Sequence, residues 1–220
     1  MNIIQDKLLI KRTSKSHIEK VLSEKPEWKI LDIGCGYGAS KYATTICDIL
    51  DLSDHYKDRS FIMLKEKKLP FKDKTFDFVI CTHVVEHVDD VPYFLNELSR
   101  VSKKGYIEVP TRLEDNLVFE NKKAHLSHLV FDDVDNKIIV SKKIQYFEPI
   151  LTVGTIKKLN KYFRESLVLE LYWENSIEYI SDQDNLQTLE KISILNLLKK
   201  YFSKKIRLLI KWLETISSYF

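Results

Sequence analysis

Three of the five glycines in this 220-residue chain, Gly34, Gly36 and Gly38, stand at the end of one short apolar run, Ile30-Leu-Asp-Ile33. Glycine permits positive φ and lets backbone approach a ligand with no Cβ in the way. A tight turn needs one such residue, so three in alternation point to a loop crossed by a ligand. The run before them is apolar, short and stopped by Gly34, which suits a strand buried on both faces in a parallel sheet. Ligands of such sheets lie at the carboxyl ends of the strands.

The rest of the chain continues that pattern. Thr13 to Glu24 carries Ile18, Val21 and Leu22 at helical spacing, with Pro26 beyond its end. Ala43 to Ile49, Phe61 to Leu64, Phe76 to Thr82 and Gly105 to Val109 are strand-like, each apolar or β-branched and bounded by charged or turn residues. Between the last two, Val91, Phe94, Leu95, Leu98 and Val101 share one helical face. Alternation of this kind predicts an α/β chain with a mostly parallel sheet and helices on its faces. After Pro110 come a polar, histidine-bearing stretch, a strand at Lys137 to Val140, a helix near Val153 to Tyr162 and a strand at Ser166 to Tyr172. The division expected is a domain over 1–180, with an insert at about 111–150 on the substrate side, followed by a basic helical extension at 184–220.

Net charge is +3, from 35 basic and 32 acidic side chains. So weak a field argues against nucleic acid as a partner. Cys35, Cys47 and Cys81 form no CxxC pair, and an odd count suggests free thiols in a reducing compartment. There is no uncharged apolar stretch of about 18 residues. The expectation is a soluble, cytoplasmic protein.

The spacing Gly34-x-Gly36-x-x-Ala39 also matches the relaxed dinucleotide fingerprint. Only about ten residues separate Gly34 from the next strand, too few for the long crossover helix on whose N-terminus a pyrophosphate sits. A ligand without phosphate tolerates a stunted helix there. Asp48, at the end of the second strand, is placed to accept both hydroxyls of a ribose, with Asp51 as the fallback.

In order along the chain come Leu31-Asp-Ile-Gly-Cys-Gly-Tyr-Gly38, Asp48, Leu69-Pro-Phe71 with Phe76-Asp-Phe-Val79, and Glu86-His87. Together these motifs resemble the class I S-adenosylmethionine-dependent methyltransferases. The resemblance covers roughly residues 15 to 110 and implies a Rossmann-like, doubly wound, mostly parallel seven-stranded type of sheet. It further implies that Asp32 and the backbone of Gly34, Cys35 and Gly36 hold the methionine end of the cofactor. Asp48 would hold the ribose, and Ile49 one adenine face. Thr82 and His83 would border the sulfonium, with His87 packed beneath the cofactor. Lys65 stands where these families carry an acidic residue for the adenine amino group, and the adjacent Glu66 is its substitute.

Methyl transfer from a sulfonium needs mainly alignment and desolvation, but a hydroxyl acceptor gains from a base. The candidates are His83, Glu108 and His128, with His125 beside the last in the insert, where acceptor contacts are expected. Phe119, Phe131 and Tyr146 would give that insert a small core of its own. His83-Val-Val-Glu-His87 spells the order H-x-x-E-H, but that motif requires a helix under both histidines and His83 follows a strand, so no metal is expected. The acceptor expected is a small molecule or saccharide, methylated on oxygen or nitrogen. The alternative is a catalytically degenerate methyltransferase fold acting as a scaffold. From Ile192, apolar residues step by threes and fours to Phe220, beside Lys199, Lys200, Lys204, Lys205, Arg207 and Lys211. That stripe suits a homodimer contact, a fold-back on the sheet, or the inner face of a membrane.

Overall fold

The structure is a computed structural model that describes residues 9–182 and 192–217. Strand β1 (Leu9–Arg12) leads into helix α1 (Lys15–Ser23), capped where the Ser14 side chain accepts the His17 amide. Four short strands follow, β2 (Ile30–Ile33), β3 (Thr45–Asp48), β4 (Ser60–Met63) and β5 (Phe78–Thr82). A single 3-10 turn at Val85–His87 precedes α2 (Val91–Val101), which returns the chain to β6 (Lys104–Pro110). The insert then forms α3 (Arg112–Leu117), α4 (Asn121–Ala124), β7 (Ser127–Asp132) and β8 (Lys137–Lys142). Helix α5 (Val153–Leu167), β9 (Val168–Glu174), β10 (Tyr179–Asp182) and α6 (Ile194–Ser217) complete the described chain.

The main sheet has seven strands in the order β1-β9-β6-β5-β2-β3-β4. Strands β2 to β6 pair parallel, and β9 is antiparallel to both β6 and β1, so β9 alone runs against the rest. Period-two alternation divides each central strand between two helical layers. Phe78 and Ile80 of β5 pack with Ile18 and Leu22 of α1. Val79 and Cys81, the alternate residues, join Phe94, Leu95 and Leu98 of α2 on the opposite face. The sheet is therefore doubly wound. From β2 the chain moves outward to β3 and β4, then crosses back to β5 on the other side of β2. That reversal places a crevice at the carboxyl ends of β2 and β5.

Three expectations change. No helix lies between β2 and β3; turns alone span 34–44, held by the Gly34 amide donating to the Cys47 carbonyl at 2.8 Å. The polar stretch from Glu114 to Asp135 is not an open loop. Its Asp115, Asn116 and Asn121 are buried, and Asn116 satisfies backbone groups that a loop would leave to water: its Nδ2 donates to the Arg112 carbonyl and its Oδ1 accepts the Tyr146 amide. Nor does the insert have a separate core. Its strands form a three-stranded sheet, β10-β8-β7, whose Leu129, Phe131, Ile138 and Val140 belong to the same buried cluster as α2, while Phe119 is exposed.

Helix α6 does not fold back on the sheet among the described residues: side chains 195–215 are all exposed. Residues 184–191 and 218–220 of the expected extension, Phe220 included, lie outside the described residues. No described helix is long and apolar enough to cross a membrane. All three cysteines are free and buried.

Candidate active site

The crevice is built from two loops. After β2 the chain turns through Gly34 at φ +67° and Gly36 at φ +49°, the left-handed region that glycine enters without cost. After β5 it turns through His83, a non-glycine residue at φ +55°. The loops touch: a Cβ on Gly34 would lie 2.2 Å from Val84 Cγ2, so only glycine fits there. Gly36 is different, since a Cβ there meets nothing within 4 Å. Open space faces that residue.

Asp48 ends β3 almost fully buried. Its Oδ2 accepts the Gly36 amide and its Oδ1 the Leu50 amide, both at 2.9 Å. Each oxygen keeps a lone pair for a ligand. A cavity of about 380 Å³ is lined by Gly34, Asp48, Ile49 and Glu66 from the first half of the crevice and by His83, His87, Tyr93 and Phe94 from the second. Asp32 and Thr82 do not line it. Their side chains point to the α1 face, where they border a second cavity of about 340 Å³ with Lys15, Gly38 and Ser40. Asp32 accepts the Ser40 amide at 2.6 Å, and burial raises its carboxyl to about 6. Cys35 packs in the core beside Ile46, Leu52 and Tyr56, so its side chain faces neither cavity and only its backbone is available to the loop.

His83 and Glu108 are brought together. His83 Nε2 lies 3.2 Å from Glu108 Oε1, and its Nδ1 lies 3.4 Å from Glu86 Oε1. Burial opposes the imidazolium, but the two carboxylates prevail and push His83 up to about 10. Glu108 is nearly inaccessible, takes a hydrogen bond from Tyr106 and pairs with Arg164 at 2.9 Å. Burial works against its charge too, yet His83, Lys15 and Arg164 hold it down near 2. It stays ionised and occupied. His128 is not with them: it is buried, with Nε2 at 2.7 Å from Asp115. His125 is buried on the same carboxylate, its Nδ1 at 2.6 Å, and Lys143 Nζ completes the set at 3.1 Å. Both histidines, expected from sequence to meet the acceptor, are thus buried in the insert on one carboxylate. Asp115 went unrecognised because it lies ten positions before His125 on a different helix, a separation with no local periodicity. His87, whose Nδ1 lies 2.9 Å from the Ala124 carbonyl, links this cluster to the cavity.

A family model described as "Methyltransferase domain" matches residues 31–107, the segment from β2 to β6. An uncharacterised protein of Methanocaldococcus jannaschii is 31% identical over 198 residues, spanning 70% of this chain and 83% of its own length. This chain belongs to the class I S-adenosylmethionine-dependent methyltransferases. Among other relatives of this methyltransferase, a ubiquinone biosynthesis O-methyltransferase of Rickettsia bellii is 30% identical over 132 residues, or 53% of this chain and 51% of that one. Norajmaline N-methyltransferase of Rauvolfia serpentina is 34% identical over 102 residues, 38% of this chain and 35% of its own. The methyltransferase therefore matches about half or less of those two enzymes. A solved S-adenosylmethionine dependent methyltransferase from Mesorhizobium loti covers 72% of this chain and 96% of its own at 12% identity and a TM-score of 0.43. The cofactor of the family is S-adenosylmethionine. The open space at Gly36 and the unused lone pairs of Asp48 fit such a ligand, with no phosphate anchor required.

Proposed function

We propose that this methyltransferase carries a methyl group to oxygen or nitrogen of a small-molecule or glycan-type acceptor. The observation that carries this reading is the cavity lined by Asp48 and Ile49 together with His83, His87 and Tyr93. Cofactor and acceptor would share it. Bound S-adenosylmethionine supplies a methyl carbon already activated by its sulfonium, so the chain's task is alignment and exclusion of water. Asp48 would accept the ribose hydroxyls, Ile49 and Glu66 would border adenine, and the amides from Gly34 to Gly36, with Asp32 behind them, would hold the methionine end. His83 would stand at the sulfonium, with Thr82 behind it on the α1 side.

In this reading His83 contacts the acceptor, and Glu108 is a positioning residue that fixes its ring. Glu108, sealed against Arg164 and Tyr106, takes no proton itself. His128 acts only through Asp115. Helix α6 would lie on an anionic membrane at the cytoplasmic side, which brings a lipid-linked acceptor within the proposal. Its exposed apolar side chains and six basic residues against Glu214 support that placement.

Calorimetric titration with S-adenosylhomocysteine, followed by transfer of labelled methyl to panels of phenolic, amine and saccharide acceptors, tests the reading. Binding in the micromolar range with label transferred to one class is the expected result. Binding with no transfer to any class would favour the scaffold alternative.

A further inference from the structure

At the wall of the main cavity, the insert meets the 3-10 turn at a cluster of unusual composition. Glu86 is 1% exposed, yet neither of its carboxylate oxygens has a hydrogen-bond partner. His83 Nδ1 lies 3.4 Å away, but the same imidazole pairs with Glu108 through Nε2 at 3.2 Å, so one ring serves two buried carboxylates. A buried carboxylate in that condition costs several kcal/mol unless something answers its charge. Two imidazoles stand beside it, and one ligand atom from each of Glu86, His87 and His125 lies within 4.8 Å of the others. The two rings meet edge to face, centroids 4.5 Å apart.

We propose that Glu86, His87 and His125 form a binding site for a divalent transition-metal ion of the zinc class. Two imidazoles and a carboxylate are a recurrent donor set for such ions, and three protein ligands leave a coordination position open. The surroundings prepare both histidines for it. His125 Nδ1 is engaged by the Asp115 carboxylate at 2.6 Å, and His87 Nδ1 by the Ala124 carbonyl at 2.9 Å. Each ring is thereby left with Nε2 as its free donor, the arrangement in which an outer carboxylate or carbonyl fixes the tautomer of a metal-binding histidine. Backbone pins the two segments in register, since the Leu126 amide donates to the Glu86 carbonyl at 2.7 Å. Ligand atoms around a tetrahedral ion stand about 3.3 Å apart, given bonds of about 2.0–2.1 Å, a contraction within the reach of side-chain torsions. His125 comes from the insert, 38 positions beyond His87 in sequence, so the H-x-x-E-H order, which would pair His83 with His87, does not contain this donor set. His87 also lines the main cavity, so the ion would sit in its wall.

The test uses full-length protein, stripped with chelator and dialysed, and titrated with Zn2+ and, for its visible spectrum, Co2+. One equivalent should bind, with a Co2+ spectrum typical of low coordination number and an upward shift in melting temperature. His87→Ala and Glu86→Gln should each weaken binding at least tenfold, and Asp115→Asn by roughly 10–100-fold. His17→Ala, an exposed histidine on α1, should change nothing. Because His125 and Asp115 are buried, circular dichroism of each variant precedes its titration, and the exposed His87→Ala decides if the others do not fold. Absence of binding to the stripped protein, or equal affinity in a folded His87→Ala variant, would overturn the assignment. The readout is independent of methyl transfer.

Discussion

The Gly36 amide donates to Asp48 Oδ2 at 2.9 Å and thereby ties the loop after β2 to the end of β3. Asp48 both shapes the loop and lines the cavity, so its loss should be felt in binding more than in folding. Asp48→Ala is expected to weaken S-adenosylhomocysteine by roughly 1.5–3 kcal/mol, the usual loss for hydrogen bonds to a charged group. Calorimetry at fixed salt measures it. Unchanged affinity would move the ribose to Asp51 or remove it from this strand end.

The two left-handed glycines should fail differently. At Gly34 a methyl group meets Val84 Cγ2 at 2.2 Å, so Gly34→Ala pays overpacking and backbone strain together and should lose about 2–4 kcal/mol of stability. Val84→Ala in the same chain removes the clashing methyl and should restore part of that loss. At Gly36 nothing is struck, so Gly36→Val should remain folded and bind no cofactor. Denaturant titration beside calorimetry separates the two. A folded Gly36→Val protein with full affinity would discredit the loop.

Asp32 gives a pH signature. Its carboxyl rises from 3.8 to about 6 on folding, chiefly by burial. At about pH 3 and below both states are protonated and no penalty exists. As pH climbs to 6 the unfolded chain releases its proton first, and stability falls by about 3 kcal/mol, a loss that persists above that pH. Asp32→Asn keeps an oxygen for the Ser40 amide without the buried charge. Its stability advantage over the parent should therefore be near zero at about pH 3 and about 2–3 kcal/mol at pH 7.5. A pH-independent difference would show that Asp32 is not buried as a charge. Loss of cofactor affinity in the same variant would show why the charge is retained.

What could be read in advance followed from short-range periodicity. Phe78, Val79, Ile80 and Cys81 alternate between two helical layers, and Val91 to Val101 repeats at helical spacing, so β5, α2 and the glycine crevice were legible. Strand β1 was not, because Leu9 to Arg12 gains its structure only by pairing with β9, some 160 residues away. Nor was the insert. Asp115, Asn116 and Asn121 look like loop composition until their hydrogen bonds are seen to be internal. The division of the crevice was equally hidden: Asp32 pairs with Ile46, so alternation puts Asp32 and Asp48 on the same side of the sheet, yet Asp32 borders the α1-side cavity and Asp48 the main one.

The last prediction concerns α6. Phe202, Ile206, Leu209, Trp212 and Leu213 are each about half exposed or more, with Lys199, Lys200, Lys204, Lys205, Arg207 and Lys211 crowding the other side. At about 25 cal/mol per Å², covering several such side chains releases several kcal/mol, which is too much to leave in water. Lysine stems can lie along the apolar boundary with their ammonium groups at the headgroups, and each basic residue near an anionic surface adds about 1 kcal/mol. Full-length protein should therefore sediment with vesicles containing phosphatidylserine, should do so weakly with phosphatidylcholine alone, and should lose the difference as salt is raised. Deleting the chain from Lys199 onward should abolish sedimentation while leaving S-adenosylhomocysteine affinity within about 1 kcal/mol, because the residues lining the cavity lie between Ile33 and Phe94. Light scattering that falls from dimer to monomer on the same deletion, with no vesicle binding at any salt, would put a second copy of the chain in place of the lipid. Loss of cofactor binding on truncation, with neither lipid affinity nor size changed, would place α6 within the catalytic unit and defeat both readings.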